Sequence, residues 1–269
     1  MERYGRWLAG ALAAAGRLAE DGVTFGLKAR AGGEVVRTGD GVSAAWVAAC
    51  GRNRWRWARH VRGEKRALAA ARRVIATSPM VQSELTALYG QASHLLLNPV
   101  LNPVATPTPA AEGALVFVGH GFARKGLDRW LALLAVLPGR SGHVIGHDAH
   151  LPRWRRQAER LGLGARVTFH GAVEAGPWVA GAAVLVHPAR YEPYGNVIAE
   201  AVAAGTPVVA SAHTGATCLL DPRSIWHPAT GLAGLRAQVT QALAAPLPPR
   251  LHPPTAEAHL AALLALVAR

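Results

Sequence analysis

The chain has 269 residues, too many for one small module and few for two full domains of roughly 100–150 residues each, so one large and one reduced domain are expected. Hydrophobic residues make up 51% and charged residues 17%, which excludes disorder as the main state, and Arg, Glu or Pro interrupts every apolar run before the ~20 residues of a membrane span. Twenty-nine Lys+Arg against sixteen Asp+Glu leave a net charge of +13, which selects anionic partners: nucleic acid, an anionic membrane face or phosphorylated ligands.

At the amino terminus, Arg3 and Arg6 ahead of "WLAGALAAAG" imitate a signal peptide. Arg17 and Glu20 follow at once, and Leu8, Leu12, Ala15 and Leu18 fall near helical spacing, so an amphipathic first helix is the better reading. Apolar runs at 23–27, 34–39, 73–78 and 93–100 read as strands, with helical patterns near 3–19, 42–50, 54–72 and 79–90 between them. Within 52–73 lie nine basic residues against Glu64 alone, interleaved with Trp55 and Trp57. Arg52, Arg54, Trp55, Arg56, Trp57 and Arg59 are candidates for contact with an anionic leaflet or a phosphorylated saccharide acceptor. Single-stranded nucleic acid is a rival, but no nucleic-acid motif accompanies the segment, and none is expected to bind. A solvated helix face is the plain alternative.

Pro99, Pro103, Pro107 and Pro109 mark a stiff connector. The boundary is set there, giving a reduced α/β domain over 1–108, a larger one over 109–250 and a terminal helix in 251–269. Beyond the connector, apolar runs at 114–120, 142–148, 166–171, 182–189 and 207–211 alternate with helical patterns near 126–137, 151–162, 174–181 and 196–204. Strands apolar on both faces and separated by helices predict a doubly wound parallel sheet. Ligands of such sheets bind outside the carboxyl ends of the strands. Here those ends carry His120, His147, His170, His187 and Ser211. The two cysteines, Cys50 and Cys218, make neither a disulfide framework nor a zinc site, and a reducing cytoplasmic setting follows. No metal is expected.

Two segments carry chemistry. In "GHGFARKGLDRWLALL", Gly119 and Gly121 permit close backbone approach, and Arg124 and Lys125 stand where a helix is expected to open at Gly126-Leu127. Two cations beside a helix N-terminus suit phosphate oxygens. In "HPARYEPYGNVIAEAVAAGTPVVAS", a loop carries Glu192, a helix opens at Gly195-Asn196 with Asn196 expected as its N-cap, and Glu200 lies one turn inside. Tyr194, Gly195, Asn196 and Val197 form the mouth of that helix. The carboxylates repel phosphate and instead accept hydrogen bonds from vicinal diols. Phosphate donors, diol acceptors and an α/β cleft together describe a sugar nucleotide.

These segments, with "VIGHDAHLPRWRRQAERLGLGARVTFHGAV", resemble the donor half of retaining GT-B glycosyltransferases of family 4, Glu192 and Glu200 standing at the family's E-x7-E spacing. Weaker similarity to the lipopolysaccharide-core glucosyltransferase branch extends upstream. The resemblance implies two Rossmann-type α/β domains. The family's first domain begins with a strand and a Gly-rich loop, whereas this chain starts at a helix, so the first domain is expected to be truncated. It further implies that Arg124 and Lys125 hold a nucleotide diphosphate, that Glu200 takes the ribose hydroxyls and Glu192 the transferred sugar, and that Asp40 faces a sugar from the first domain; Gly119, His120, Gly121, His147 and His170 are the further candidates for donor binding. Family members commonly have Arg where this chain has His120. The implied activity is retaining transfer of a hexose from a donor such as UDP-glucose to a lipid-linked or cell-surface glycan, at the inner membrane face and without a metal. A non-catalytic partner subunit and a glycoside hydrolase using Glu192 and Glu200 as acid and base are the alternatives.

Overall fold

The computed structural model describes residues 2–14, 25–26, 35–102 and 105–267. The chain divides into two compact units, the first made of Met1–Leu101 with Pro254–Arg269 and the second of Asn102–Pro253. In the first unit, α1 (Glu2–Ala14), β1 (Phe25–Gly26), β2 (Val35–Arg37), α2 (Ser43–Ala49), α3 (Arg54–Ala70), β3 (Arg73–Ala76), α4 (Pro79–Glu84) and β4 (His94–Leu95) follow in order. Among the described residues the strands form a parallel sheet in the order β1-β2-β3-β4. The expected helix 3–19 and strand 23–27 extend into residues outside those described. Strand alternation sorts the core to two faces. Val36 and Val74 pack with Val42, Leu68, Val81 and Leu85, while Val35 and Ile75 pack with Tyr4, Leu8 and Leu96.

In the second unit come β5 (Leu115–Val118), α5 (Phe122–Lys125), α6 (Leu127–Ala135), β6 (Gly142–Ile145), α7 (Leu151–Arg160), β7 (Val167–Gly171), α8 (Gly176–Gly181), β8 (Val184–His187), α9 (Asn196–Ala203), β9 (Val208–Ser211), β10 (Ile225–Trp226) and α10 (Gly231–Ala244). All described strands are parallel, in the order β10-β9-β8-β5-β6-β7. From β5 the chain winds outward through β6 and β7, then returns to pair β8 against the other side of β5. The winding direction reverses between β5 and β8, and a crevice opens at their carboxyl ends. One face of the sheet, Leu115, Phe117, Val144, Val184, Val186 and Val209, is sealed by Leu127, Trp130, Leu131 and Leu134 of α6, Trp154 of α7, and Leu235 and Val239 of α10. Trp130 is fully buried, and a Cβ on Gly142 would lie 2.3 Å from its ring, so the first residue of β6 makes room for that indole.

The terminal helix expected in 251–269 is α11 (Ala256–Val267), and it belongs to the first unit. Its Leu263 joins the core of the first unit. His259 Nδ1 lies 2.8 Å from the Leu97 carbonyl, so Nδ1–H donates there and Nε2 accepts from the Tyr4 hydroxyl at 2.8 Å. Burial holds this imidazole neutral, its pKa lowered to about 4. The division between units accordingly falls at Leu101/Asn102, ahead of the expected 108/109. The expected strand 93–100 contracts to β4. Three labelled elements beyond those read from the sequence appear, α5, β10 and α10.

Close backbone approach builds the crevice. Gly146, after β6, has φ +129°, and a Cβ there would stand 1.8 Å from the Gly119 carbonyl oxygen. Gly162 (φ +70°) has open space around it. Gly146→Ala is expected to destabilise the protein by more than ~3 kcal/mol, whereas Gly162→Ala costs only the left-handed penalty of about 1–2 kcal/mol. Chemical denaturation of the two variants checks the contrast.

Candidate functional site

At the carboxyl end of β5 the chain turns through Gly119, His120 and Gly121 into α5. Gly121 caps α5 with φ +69°, and Gly126 ends it with φ +79°. A Cβ on Gly119 would press on the Lys125 stem at 2.9 Å, and one on Gly126 would meet the Pro188 carbonyl oxygen at 2.1 Å. These glycines let the turn close tightly over the end of β8. The loop after β6 fixes it from the other side. Asp148 Oδ2 accepts from Phe122 N at 2.7 Å, and Gly121 N donates to the His147 carbonyl at 3.2 Å. The expected helix opening at Gly126-Leu127 is found as α6, with Gly126 as its N-cap, but a separate helix precedes it. Arg124 and Lys125 occupy the last turn of the separate one-turn helix α5, and Gly126 redirects the chain into α6.

That redirection aims both cations at one oxygen. Lys125 Nζ and Arg124 NH1 both donate to Glu192 Oε2, the latter at 2.9 Å, and the Lys125 and Glu192 side chains are each 12% exposed. Arg124 NH1 also donates to the Tyr191 carbonyl at 3.1 Å. The Glu192 backbone bridges Thr214 and exchanges hydrogen bonds with His213 and Gly215 at 2.9 Å. Arg190 fastens the same loop, gripping Asp128 at 2.8 and 2.7 Å and donating to the Ala123 carbonyl at 2.7 Å. Burial alone would push the Glu192 carboxyl up, but Lys125 and Arg124 hold it down at about 2. Burial also pulls the Lys125 ammonium below its ordinary value, against the attraction of Glu192. A carboxyl near 2 carries no proton at neutral pH, which argues against Glu192 as the general acid of a hydrolase. Beneath the trio, His187 at the end of β8 is fully buried. Burial and the neighbouring Lys125 keep its pKa at about 3, so it is neutral.

α9 enters from the same end of the sheet. Its cap is Gly195, at φ +92°, in place of the expected Asn196, which is the first helical residue. A Cβ on Gly195 would crowd Thr214 at 3.1 Å and Glu192 at 3.3 Å, so only glycine lets the helix begin here. In its first turn Ile198 N donates to the Gly195 carbonyl at 2.9 Å, with Asn196 exposed and Tyr194 and Val197 buried. Glu200, one turn in, accepts from Asn102 Nδ2 at 3.2 Å.

The remaining expected residues divide. His120 and His147 are exposed beside the crevice and joined, His147 N donating to His120 Nδ1 at 3.1 Å. The His170 ring is drawn elsewhere. An irregularity opposite Val144/Ile145 carries it toward His143, at 3.0 Å, and onto Trp178, with centroids 3.9 Å apart. Asp40 lies in the first unit, exposed in the turn after β2. On α3, Trp55 is 90% exposed, whereas Trp57 packs edge-on against Trp46 and His60 at 4.8 and 5.3 Å. Two residues apart on a helix point to opposite sides, so only one of the two expected Trp anchors faces outward. Arg52, Arg56 and Arg59 are exposed, Arg52 lying over the Trp46 ring; the Arg54 side chain is outside the described residues. Among the described residues no group of three or more His, Cys, Asp or Glu is placed to hold a metal ion, and no helix is long and apolar enough to cross a membrane.

Sequence reasoning took Asp148 only as one of the polar residues at the strand ends and passed over Asn102 and Arg190. Asp148 stands in the quoted "GHDAH" and carries a turn signal, but the partners of the other two are 98 and 62 residues away and leave no local trace.

Residues 112–245 match the family of group 1 glycosyl transferases. Over 111 residues the chain is 39% identical to the lipopolysaccharide glucosyltransferase WaaG of Escherichia coli (strain K12), a match covering 39% of this chain and 29% of the relative. The crystal structure of WaaG, a glycosyltransferase involved in lipopolysaccharide biosynthesis, superposes with a TM-score of 0.66 at 23% identity, covering 90% of this chain and 75% of that one. The structure of Anabaena Alr3699/HepE in complex with UDP and glucose gives a TM-score of 0.63 at 18% identity, covering 88% and 72%. The fold class expected from the sequence, two parallel-sheet α/β units of the GT-B kind, is thus shared with these structures.

The ion trio makes stability depend on pH. The folded Glu192 pKa, about 2, lies below the ordinary 4.5, so its contribution is complete above about pH 4.5 and is lost as pH falls through 2. Glu192→Gln, which strands two cations, is expected to cost ~3 kcal/mol at pH 7. Urea unfolding at a series of pH values is expected to show wild type and variant converging below pH 4.5.

Proposed function

We propose, from the match of residues 112–245 to the group 1 glycosyl transferases, that this chain is a retaining glycosyltransferase whose donor is a nucleoside diphosphate hexose of the UDP-glucose kind and whose acceptor is a lipid-linked or cell-surface glycan. One observation carries the reading: Lys125 and Arg124 converge at the switch point of the sheet, at the mouth of α9. Transfer breaks the bond from the sugar to the diphosphate and leaves negative charge on the departing oxygens. Two cations and a set of fixed N–H groups are aimed where that charge develops, and in this reading they take the part a metal ion plays elsewhere. Glu200, steadied by Asn102, accepts the ribose hydroxyls, and Glu192 accepts hydroxyls of the transferred sugar. Anabaena HepE, which shares the fold, was solved with UDP and glucose, and WaaG acts in lipopolysaccharide biosynthesis; both support the choice of donor and acceptor class. The matched segment spans 29% of the length of Escherichia coli WaaG, so activity is to be tested on this chain itself.

A membrane-facing role for α3 rests on Trp55, 90% exposed, beside an apolar groove of Ala44, Val47, Ala58, Val61 and Leu88 edged by Arg62. An exposed indole among arginines suits the headgroup region of an anionic leaflet.

Two outcomes are expected. UDP raises the melting temperature of the wild type, and Lys125→Ala weakens UDP binding in calorimetry by at least about tenfold, equivalent to one charge-assisted contact; unchanged affinity sinks the donor site. In co-sedimentation, the chain binds phosphatidylglycerol vesicles at low salt, and Trp55→Ala with Arg56→Ala and Arg59→Ala removes most of the binding, about 1 kcal/mol being lost per Arg.

A further inference from the structure

Around Glu192 three polar side-chain atoms are buried without a hydrogen-bond partner: both ring nitrogens of His187 and the hydroxyl of Thr214. Neither residue has any exposed surface. Buried polar groups are ordinarily satisfied, and an apolar residue in either place would avoid the penalty. The positions are not scattered. Thr214 pairs with Glu192 through the backbone, and its methyl group lies 3.1 Å from where a Gly195 Cβ would stand. His187 ends β8. Val184 and Val186 point into the core on one face of the sheet, so the alternation places the His187 ring on the other face. There it senses the charges of Lys125, Glu192 and Arg124.

Glu192 itself is over-committed, for both cations converge on the single atom Oε2. A diphosphate carries more negative charge than one carboxylate and offers several oxygens, so on binding it draws Lys125 and Arg124 toward itself. Glu192, largely out of water, then loses both donors, and a carboxylate without donors in such a place takes up a proton.

We propose that His187 and Thr214 are donors held in reserve, to which Glu192 turns when a diphosphate takes its cations, making His187 a positioning residue of the donor site. The inference rests on the diphosphate site argued above. A neutral imidazole has one N–H to give and one lone pair left over, and a hydroxyl has one proton; together they replace the two bonds that Glu192 gives up. Because His187 is neutral it supplies a donor without adding a cation that would compete for the phosphates. The charged groups bearing on Glu192 are Lys125 and Arg124 of α5, with His187 of β8 acting on it as well.

The test compares His187→Leu, which keeps the bulk, with His187→Gln, which keeps a donor. Melting temperature without ligand, UDP affinity, and the pH profile of UDP release from UDP-glucose are measured for both. Leu is expected to leave the melting temperature unchanged or raised, to lower the release rate at pH 7 by about tenfold, and to move the acid limb of the profile up by about one pH unit. Gln is expected to return the limb toward the wild-type position. Wild-type UDP binding and turnover with an unmoved acid limb in His187→Leu overturn this proposal alone. A fall in melting temperature that Gln does not reverse, with activity lost in proportion, also overturns it, by assigning His187 to the fold. If the wild type binds no UDP, the donor-site reading falls and this inference falls with it.

Discussion

An ammonium group can be held largely out of water only where an anion meets it, and in this protein that requirement ties the second unit together. Lys125 finds its anion in Glu192, and Arg124 finds the same one. The two basic residues leave a single turn of helix after β5, while the acid sits on the loop after β8. The pair therefore bridges the two strands between which the sheet reverses its winding. Everything that brings those ends within reach serves this contact: Gly119 clears the Lys125 stem, Gly126 lets the turn press on Pro188, and Arg190 locks the acid's loop back onto Asp128 and Ala123.

The cluster has an electrostatic character that its composition alone does not suggest. Two cations and one carboxylate leave an excess positive charge at the mouth of α9, whose first-turn N–H groups add to it. Two effects keep the protonation states fixed. Proximity to Lys125 and Arg124 keeps Glu192 ionised even in acid, and burial keeps His187 neutral well below pH 7. The charges of Glu192 and His187 therefore do not change over the physiological range. What changes on binding, in the reading offered above, is the partner of each group and not its charge.

Much of this was legible in the residues before any coordinates. The parallel sheet of the second unit announces itself in apolar runs such as Leu115–Val118 and Val184–His187, because strands covered on both faces need no polar alternation. The glycines beside Arg124-Lys125 and Glu192 mark places where backbones approach closely. Other features could not be read. Asn196 looks like a better cap than Gly195, but Thr214 and Glu192 crowd the position and only glycine fits. His170 follows a strand as His147 does, yet the irregularity between β6 and β7 sends it to Trp178. Trp55 and Trp57 look equivalent until the helix places them on opposite sides.

The sequence by itself determined most of the elements that form and which end of the sheet carries polar residues, because periodicity and turn preference are local properties of the chain. Only the tertiary structure decided that Lys125 and Arg124 share one oxygen of Glu192, that Asn102 reaches Glu200, and that the carboxyl-terminal helix returns to the first unit through His259 and Leu263. Those pairings span tens to hundreds of residues and depend on the order of strands within the sheet and on how the returning chain packs. No spacing within a single segment encodes them.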